Sequence, residues 1–411
     1  MPKENKALQL SLRVISILVG LLFIFSGLIK ANDPSGLAYK MGEFFEVWAR
    51  EGYLPELMLR MNDFSLLFSV LMIAFEIVAG VALIIGYRFR LFAFLILLLT
   101  IFFTFLTGYA LFSGNIKECG CFGDCIRLQA NESFMKDLIL LALLLILVFF
   151  RNYLTDLFKP KTGMVLMILS LLISLGFMWY TLRYLPVKDC LAYRTGNNIL
   201  NEMTPGADYQ AAEYRTLLVY EKDGVKKEFT DKNFPWQDTT WKFVDSKSEV
   251  VKEAQNAPSI LDFAINSYDG QDITQTVLNY EGNVLLLFVK DVNTANTETI
   301  NALKSLYDEA TKAGVPFLAL SASNDIETGK FNTKHGLNLP FYTIDATVCK
   351  TAMRTNPGLM QLQKGTVKGK WSYANYPSFS SLGIASPSNQ APLFAPPTPA
   401  PSDTSTSVTP Q

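Results

Sequence analysis

The sequence is poor in histidine, in cysteine and in charge, and each scarcity narrows what the protein can do. One residue in 411 is histidine. A lone imidazole argues against histidine-rich metal sites and histidine-based catalytic triads, and His335, in the polar stretch 332–338, reads as a surface residue. Charged residues make up only 18% of the chain and nearly cancel, for a formal net charge of -1. No field of one sign is then available to steer a polyanion, and no nucleic-acid partner is expected. Only five cysteines are present, so any thiol chemistry must be found among Cys119, Cys121, Cys125, Cys190 and Cys349.

What is abundant is apolar surface. Half of all residues are hydrophobic, and the surplus lies before Leu185, where runs at 14–29, 64–86, 91–112, 138–150 and 164–185 punctuate the chain. A helix needs about 20 apolar residues to cross the hydrocarbon core. Most runs approach that length, and the short fourth run does so when extended back to Phe134, with Lys136 and Asp137 near the outer interface. Five membrane helices are therefore predicted, with membrane lipid as the first partner. The segment Lys30-Ala31-Asn32-Asp33-Pro34 is a poor cleavage site, so the first run reads as a permanent helix rather than a signal peptide.

Basic residues set the orientation. Lys3, Lys6 and Arg13 precede the first run, Arg88 and Arg90 lie between the second and third, and Arg151, Lys159 and Lys161 follow the fourth. These segments are predicted to be cytoplasmic. The loops 31–63 and 113–133, and everything after Leu185, then face outward, in a bacterial-type inner membrane with a periplasmic C-terminal half. All five cysteines fall in the oxidising compartment.

The second half divides further. Residues 187–257 read as a small β-rich stalk, with strands 214–220 and 225–230 turned at Asp223-Gly224. From 258 to 384 the pattern predicts an α/β domain. Its central strand, 283–289, is almost wholly apolar; a helix follows at 299–313, strands at 315–321 and 339–344, a short helix at 346–354, and a hairpin of 359–363 and 366–371 turned at Lys364-Gly365. Residues 385–411, rich in Pro, Ala, Ser and Thr, read as a disordered tail.

Three groups of residues resemble known families. Phe25-Ser26-Gly27-Leu28-Ile29-Lys30 with Asp33-Pro34-Ser35-Gly36, and Glu76 with Gly80 and Gly86-Tyr87-Arg88, resemble the DoxX family. The loop Cys119-Gly120-Cys121-Phe122-Gly123 is similar to that of MauE, a methylamine-utilisation membrane protein. This resemblance implies a four-helix membrane module over residues 1–160 with a redox or maturation role, to which a fifth helix at 161–186 is added. Asn356-Pro357-Gly358-Leu359 followed by Lys364-Gly365 resembles the thioredoxin fold, which places a cis proline before such a strand. Where that fold carries its cysteine pair, this chain has Asn293-Thr294-Ala295-Asn296. No thiolate can form there, and the domain by itself cannot run dithiol exchange.

Candidate chemistry therefore moves to the loop. Cys119, Cys121 and Cys125, with Cys190 as disulfide partner beyond the last membrane run, form either a thiol relay exchanging electrons with a membrane quinone, or inert staples, or a four-sulfur metal site. Glu76, a carboxylate inside an apolar run, is predicted to face a polar interior, as a proton or ligand site or as hydrogen-bonding glue to Thr107 or Tyr109. Pro357, with Asn293 and Asn296, marks the corner where an extracytoplasmic protein partner would bind. Cys349 reads as a buried small hydrophobe. A non-enzymatic, membrane-anchored scaffold or chaperone is the competing reading.

Overall fold

A computed structural model describes residues 6–113, 116, 123–126, 128–230, 232–252 and 254–384. Cys119, Cys121 and the tail 385–411 lie outside the described residues.

The first half is helical. α1 (Lys6–Asn32) is followed by α2 (Pro34–Arg50), α3 (Pro55–Asp63), α4 (Ser65–Ile85), α5 (Phe89–Ser113), α6 (Ala130–Phe149) and α7 (Pro160–Tyr184). Among the described residues, α1, α4, α5 and α7 are long and apolar enough to cross a membrane. The sequence predicts five such helices; α6 has the length, 20 residues, but its first eight residues include Glu132, Lys136 and Asp137. Each spanning candidate buries one stripe and leaves leucine and phenylalanine outside, as at Leu18, Phe25, Leu71, Phe94 and Leu172. Such an outward apolar belt is what lipid solvates and water does not.

Tight approach holds α1 on α4. A Cβ at Gly80 would sit 2.8 Å from the Gly20 carbonyl oxygen and 2.9 Å from Ile24 Cγ1, so only glycine lets these backbones meet. The stretch 31–63 is not a plain loop. Proline at the first position of α2 and of α3 pre-sets the helical φ, and Asp33 caps α2 by accepting from the Gly36 N–H at 3.0 Å. The bundle has two chemically distinct ends. At one, Arg13 donates to the Thr155 carbonyl and the Leu157 N–H donates to Ile85 O at 3.1 Å. At the other, Asn32 exchanges two hydrogen bonds with the Lys188 backbone, at 2.8 and 3.0 Å.

Beyond α7 lie α8 (Ile199–Met203) and three strands, β1 (Glu213–Lys222), β2 (Val225–Thr230) and β3 (Lys242–Lys252), in the antiparallel order β2-β1-β3. The β1/β2 hairpin turns at Asp223-Gly224, both at positive φ, as its sequence predicts. β3 is an addition; its alternation of Lys, Asp, Ser and Glu hides a strand whose stabilising contacts are aromatic and local, such as Phe243 on Tyr220 at 5.7 Å.

The last unit is an α/β sandwich. It contains α9 (Thr274–Leu278), β4 (Asn283–Val289), α10 (Ile300–Lys312), β5 (Phe317–Ser321), α11 (Asp325–His335), β6 (Phe341–Thr343), α12 (Ala346–Ala352), β7 (Gly358–Gln363) and β8 (Thr366–Ser372). The sheet order is β6-β5-β4-β7-β8, with β4, β5 and β6 parallel and β7 and β8 antiparallel to their neighbours. β4 explains its own composition: Val284, Leu286 and Phe288 enter one core with Val277 and Val348, while Leu285, Leu287 and Val289 enter the other with Leu303 and Phe331. α11 occupies a stretch too polar to announce itself. Asn324 and Glu327 cap it reciprocally, Gly336 ends it, and only Thr328 and Phe331 are buried. His335 lies at its end against Phe331, ring centroids 4.7 Å apart.

Candidate functional site

Two clusters of polar side chains lie near the Asn32–Lys188 end of the molecule. The first is inside the helical bundle. Lys30 Nζ lies 2.6 Å from Glu76 Oε1, with 3% and 2% of the two side chains exposed, and 4.8 Å from the Phe103 ring centroid. Glu76 therefore pairs with a cation, not with the Thr107 or Tyr109 expected from sequence. Thr107 donates instead to Asp137 at 3.1 Å, and Tyr109 to Glu51 at 2.6 Å. A carboxylate buried without a cation would cost several kcal/mol, which is why the fold reaches for the nearest lysine. Lys136 and Asp137 form a second pair at 2.9 Å, and both pairs line one small cavity of about 20 Å³, room for a water, with Ser26, Thr100 and Phe103. Glu76 Oε2 is buried and has no hydrogen-bond partner among the described residues.

The second cluster joins the two halves. Cys125, on the α5–α6 connection, is disulfide-bonded to Cys190 across 65 residues. This removes Cys190 as the fourth ligand of a four-sulfur metal site. Asp124, next to Cys125, accepts from Arg354 Nη2 at 2.6 Å, and Asp33, the cap of α2, accepts from Arg354 Nε at 2.7 Å. Arg354 Nη1 donates to the Lys350 carbonyl at 2.5 Å, so the guanidinium is engaged on all sides. Burial alone would lower its pKa, but the two carboxylates outweigh that and hold it above its ordinary value. A Cβ at Gly36 would lie 2.8 Å from Asp33 Oδ2 and 3.3 Å from Arg354 Nη2, so glycine here makes room for the fork. The Tyr39 ring lies beneath three cations, Lys290, Lys350 and Arg354, at 5.7, 5.4 and 5.4 Å.

The remaining contacts extend this junction. Lys370 pairs with Asp189 in a buried contact, Arg183 with Glu298 at 2.6 Å, and Ser372 with the Arg183 carbonyl. Pro357 follows a cis bond and is buried. The Asn296 N–H donates to the Asn356 carbonyl at 2.8 Å, Asn356 Nδ2 donates to Asp291 O at 2.8 Å, and Asn293 Nδ2 reaches Glu327 at 3.1 Å. Asn296 is thus bonded to the residue before Pro357, which lies three residues from Arg354, while Asn293 turns to α11. Cys349 is 1% exposed, and burial, reinforced by Asp345 and only partly offset by Lys290, pushes its thiol up to about 12.

Sequence reasoning singled out Glu76, Cys125 and Cys190 and quoted Lys30 and Asp33 only as part of a family signature; it did not single out Asp124, Tyr39 or Arg354. Lys30 carried a signal: a lysine ending an apolar run, in a chain with one carboxylate deep in another. Arg354 carried none, because its partners lie 230 and 321 residues away.

With this geometry in place, comparison with known families is informative. Residues 8–150 match the family model described as methylamine utilisation protein MauE. The membrane half is therefore similar to that family, and the match with its apolar helices marks a membrane protein. Residues 214–253, which span most of the three-stranded sheet, match a domain of unknown function, DUF8463. No curated protein matches the chain.

Proposed function

We propose that the protein is a membrane-embedded thiol-redox or maturation factor, in which a MauE-like helical module carries the reactive cysteines on the outer face and a thioredoxin-like domain without a cysteine pair binds the partner. The observation that carries this reading is the Cys125–Cys190 bond. It takes two outer cysteines out of exchange, and with Cys349 buried, Cys119 and Cys121 are the two left for exchange in the sequence. Gly123, two residues after Cys121 in the sequence, lies near Ile29 toward the end of α1.

The chemistry balances as ordinary exchange. A thiolate of a dithiol substrate attacks one sulfur of the Cys119–Cys121 bond and displaces the other as a thiolate; the second substrate thiolate then attacks the mixed bond, so the substrate loses two electrons and the pair gains two, which a membrane quinone takes up with two protons as the Cys119–Cys121 bond re-forms. The small ring closed by a C-x-C pair strains its disulfide and favours reduction. Sheet order β5-β4-β7-β8, with one parallel and two antiparallel pairings, supports the thioredoxin-like reading of the last domain. For orientation, α6 is taken as a fifth crossing, and the gathering of Arg13, Ile85 and Leu157 at one end and of Asn32, Cys125 and Cys190 at the other supports an inside N-terminus and an outside C-terminal half, in a bacterial inner membrane.

Alkylation of native membranes with a mass-tagged maleimide, before and after a mild reductant, tests the proposal. A relay shows Cys119 and Cys121 in mixed occupancy that shifts with respiratory poise, while Cys125 and Cys190 stay blocked until denaturation. Two pairs that both stay blocked until denaturation would overturn it. The outcome would then be a membrane-anchored scaffold or chaperone, a reading that the asparagines at 293 and 296 and the clamp at Arg354 favour.

A further inference from the structure

We infer that the apolar groove between α2–α3 and α4–α5 is a binding site for one acyl chain of a membrane phospholipid, and that the bound chain holds α3 against the bundle. The inference goes beyond the thiol-redox reading and does not depend on it.

The groove has a volume of about 430 Å³, within the usual range of roughly 300–1,000 Å³ for small-molecule sites. α2 lies across the ends of its two walls. Phe45 packs on Phe68, three residues after the start of α4, with ring centroids 6.4 Å apart, and Trp48 packs on Tyr109, four residues before the end of α5, at 5.8 Å. Met58 and Met61 of α3 complete the roof. Leu71 and Phe102 line the groove and are exposed, so it is continuous with the apolar belt through which the helices meet lipid. A buried water needs two to four polar partners, and this lining offers no polar group beyond the Trp48 indole, so water does not fill the space.

Depth and wall chemistry select the occupant. From Phe68 to Phe75 the groove runs about 10 Å along α4 at 1.5 Å per residue, beginning one turn below Ser65. That is the depth of a single leaflet, since the whole hydrocarbon core is about 30 Å thick. A partner's membrane helix would have to continue past the roof, and a polar head group would be stranded in hydrocarbon. One acyl chain entering sideways between Leu71 and Phe102 meets neither obstacle, and its head group stays at the interface beside α3. Four of the chain's twelve methionines, Met41, Met58, Met61 and Met72, line the groove. Their unbranched thioethers adapt to a bent chain as branched side chains do not. α3 is the element that gains. It buries no residue, it exposes Leu57 and Leu59, and Asn62 ties it to Glu46 of α2 at 3.1 Å. Lipid tails are as apolar as leucine, so the gain on binding is contact in a fitted groove rather than release from water.

The test titrates the full chain, in dodecylmaltoside micelles, with a phosphatidylcholine that carries a dibrominated acyl chain. Bromine quenches tryptophan on contact, and the difference between wild type and Trp48→Phe isolates the signal of Trp48. Saturable quenching at one lipid per chain is expected, with a matching single-phospholipid adduct in native mass spectrometry. Met61→Glu places a carboxylate in the groove and should weaken binding at least tenfold, and because α3 buries no residue the bundle still folds. Leu59→Glu puts the same charge on the same helix outside the groove and should leave binding unchanged. Quenching that rises with lipid without saturating, that survives Met61→Glu, or that is lost equally in Leu59→Glu overturns the site. The wild-type adduct needs no variant: its absence while the chain stays folded overturns the site by itself.

Discussion

Replacing Arg354 by methionine removes the guanidinium, with its place over the Tyr39 ring, while keeping an apolar stem in the buried position. Arg354 is 6% exposed, Asp33 14% and Asp124 25%, so one arm of the fork is well buried and the other partly wetted. Taking one partner from a buried pair costs about 3–5 kcal/mol, because the remaining charge is left desolvated; solvent at Asp124 argues for the lower end, about 3 kcal/mol. That corresponds to a shift of more than about 100-fold in the docking equilibrium between the helical module and the α/β domain. Hydrogen–deuterium exchange of the full protein in micelles reads this directly. The amides at the start of α2 and along α12 should exchange faster by about that factor, with the cores of β4 and α4 unaffected. Adding Asp33→Asn and Asp124→Asn to Arg354→Met removes the unpaired charges and should restore most of the protection. If Arg354→Met leaves both segments as protected as wild type, or if the neutralised triple variant is no better than the single, the fork does not hold the halves together.

Other predictions follow from separate parts of the structure. Cys190→Ser opens a 65-residue closure and should lower stability by up to about 4 kcal/mol, seen as a lower denaturant midpoint, and less if α6 and α7 stay helical in the unfolded state. With its thiol pushed up to about 12, Cys349 should resist maleimide at pH 8 in the folded protein and react only after denaturation. Gly80→Val drives a side chain into Gly20 O and Ile24, and should cost about 1–3 kcal/mol, visible as a lower Tm in detergent, whereas Gly176→Val, whose Cβ meets nothing, should be neutral. An alkaline phosphatase reporter fused after Lys188 should be active and one after Lys161 silent; the reverse would invert the proposed orientation.

How legible each part was depends on how local its cause is. Residues 283–289 announce a strand buried on both faces because every position but the first is apolar, and the β1/β2 turn is written in Asp223-Gly224. α2 and α3 were hidden inside what reads as a loop, since their proline starts and short amphipathic faces look like irregular chain until α2 packs on α4 and α3 on α2. β3 and α11 were hidden by polarity.

By itself the sequence determined the quantities that depend on neighbours along the chain: the apolar runs that demand lipid, the basic clusters beside them, the strand periodicities of the second half, and the absence of a cysteine pair at 293–296. Tertiary structure alone decided which distant groups meet. Glu76 chose Lys30 across 46 residues, Cys125 chose Cys190 across 65, and Arg354 chose Asp124 and Asp33 across 230 and 321. A buried charge must find an opposite charge or stay out of the interior, and several candidates satisfy that rule on paper. Only the packing of α1 on α4, and of the α/β domain on the end of the bundle, brings one of them within hydrogen-bond distance.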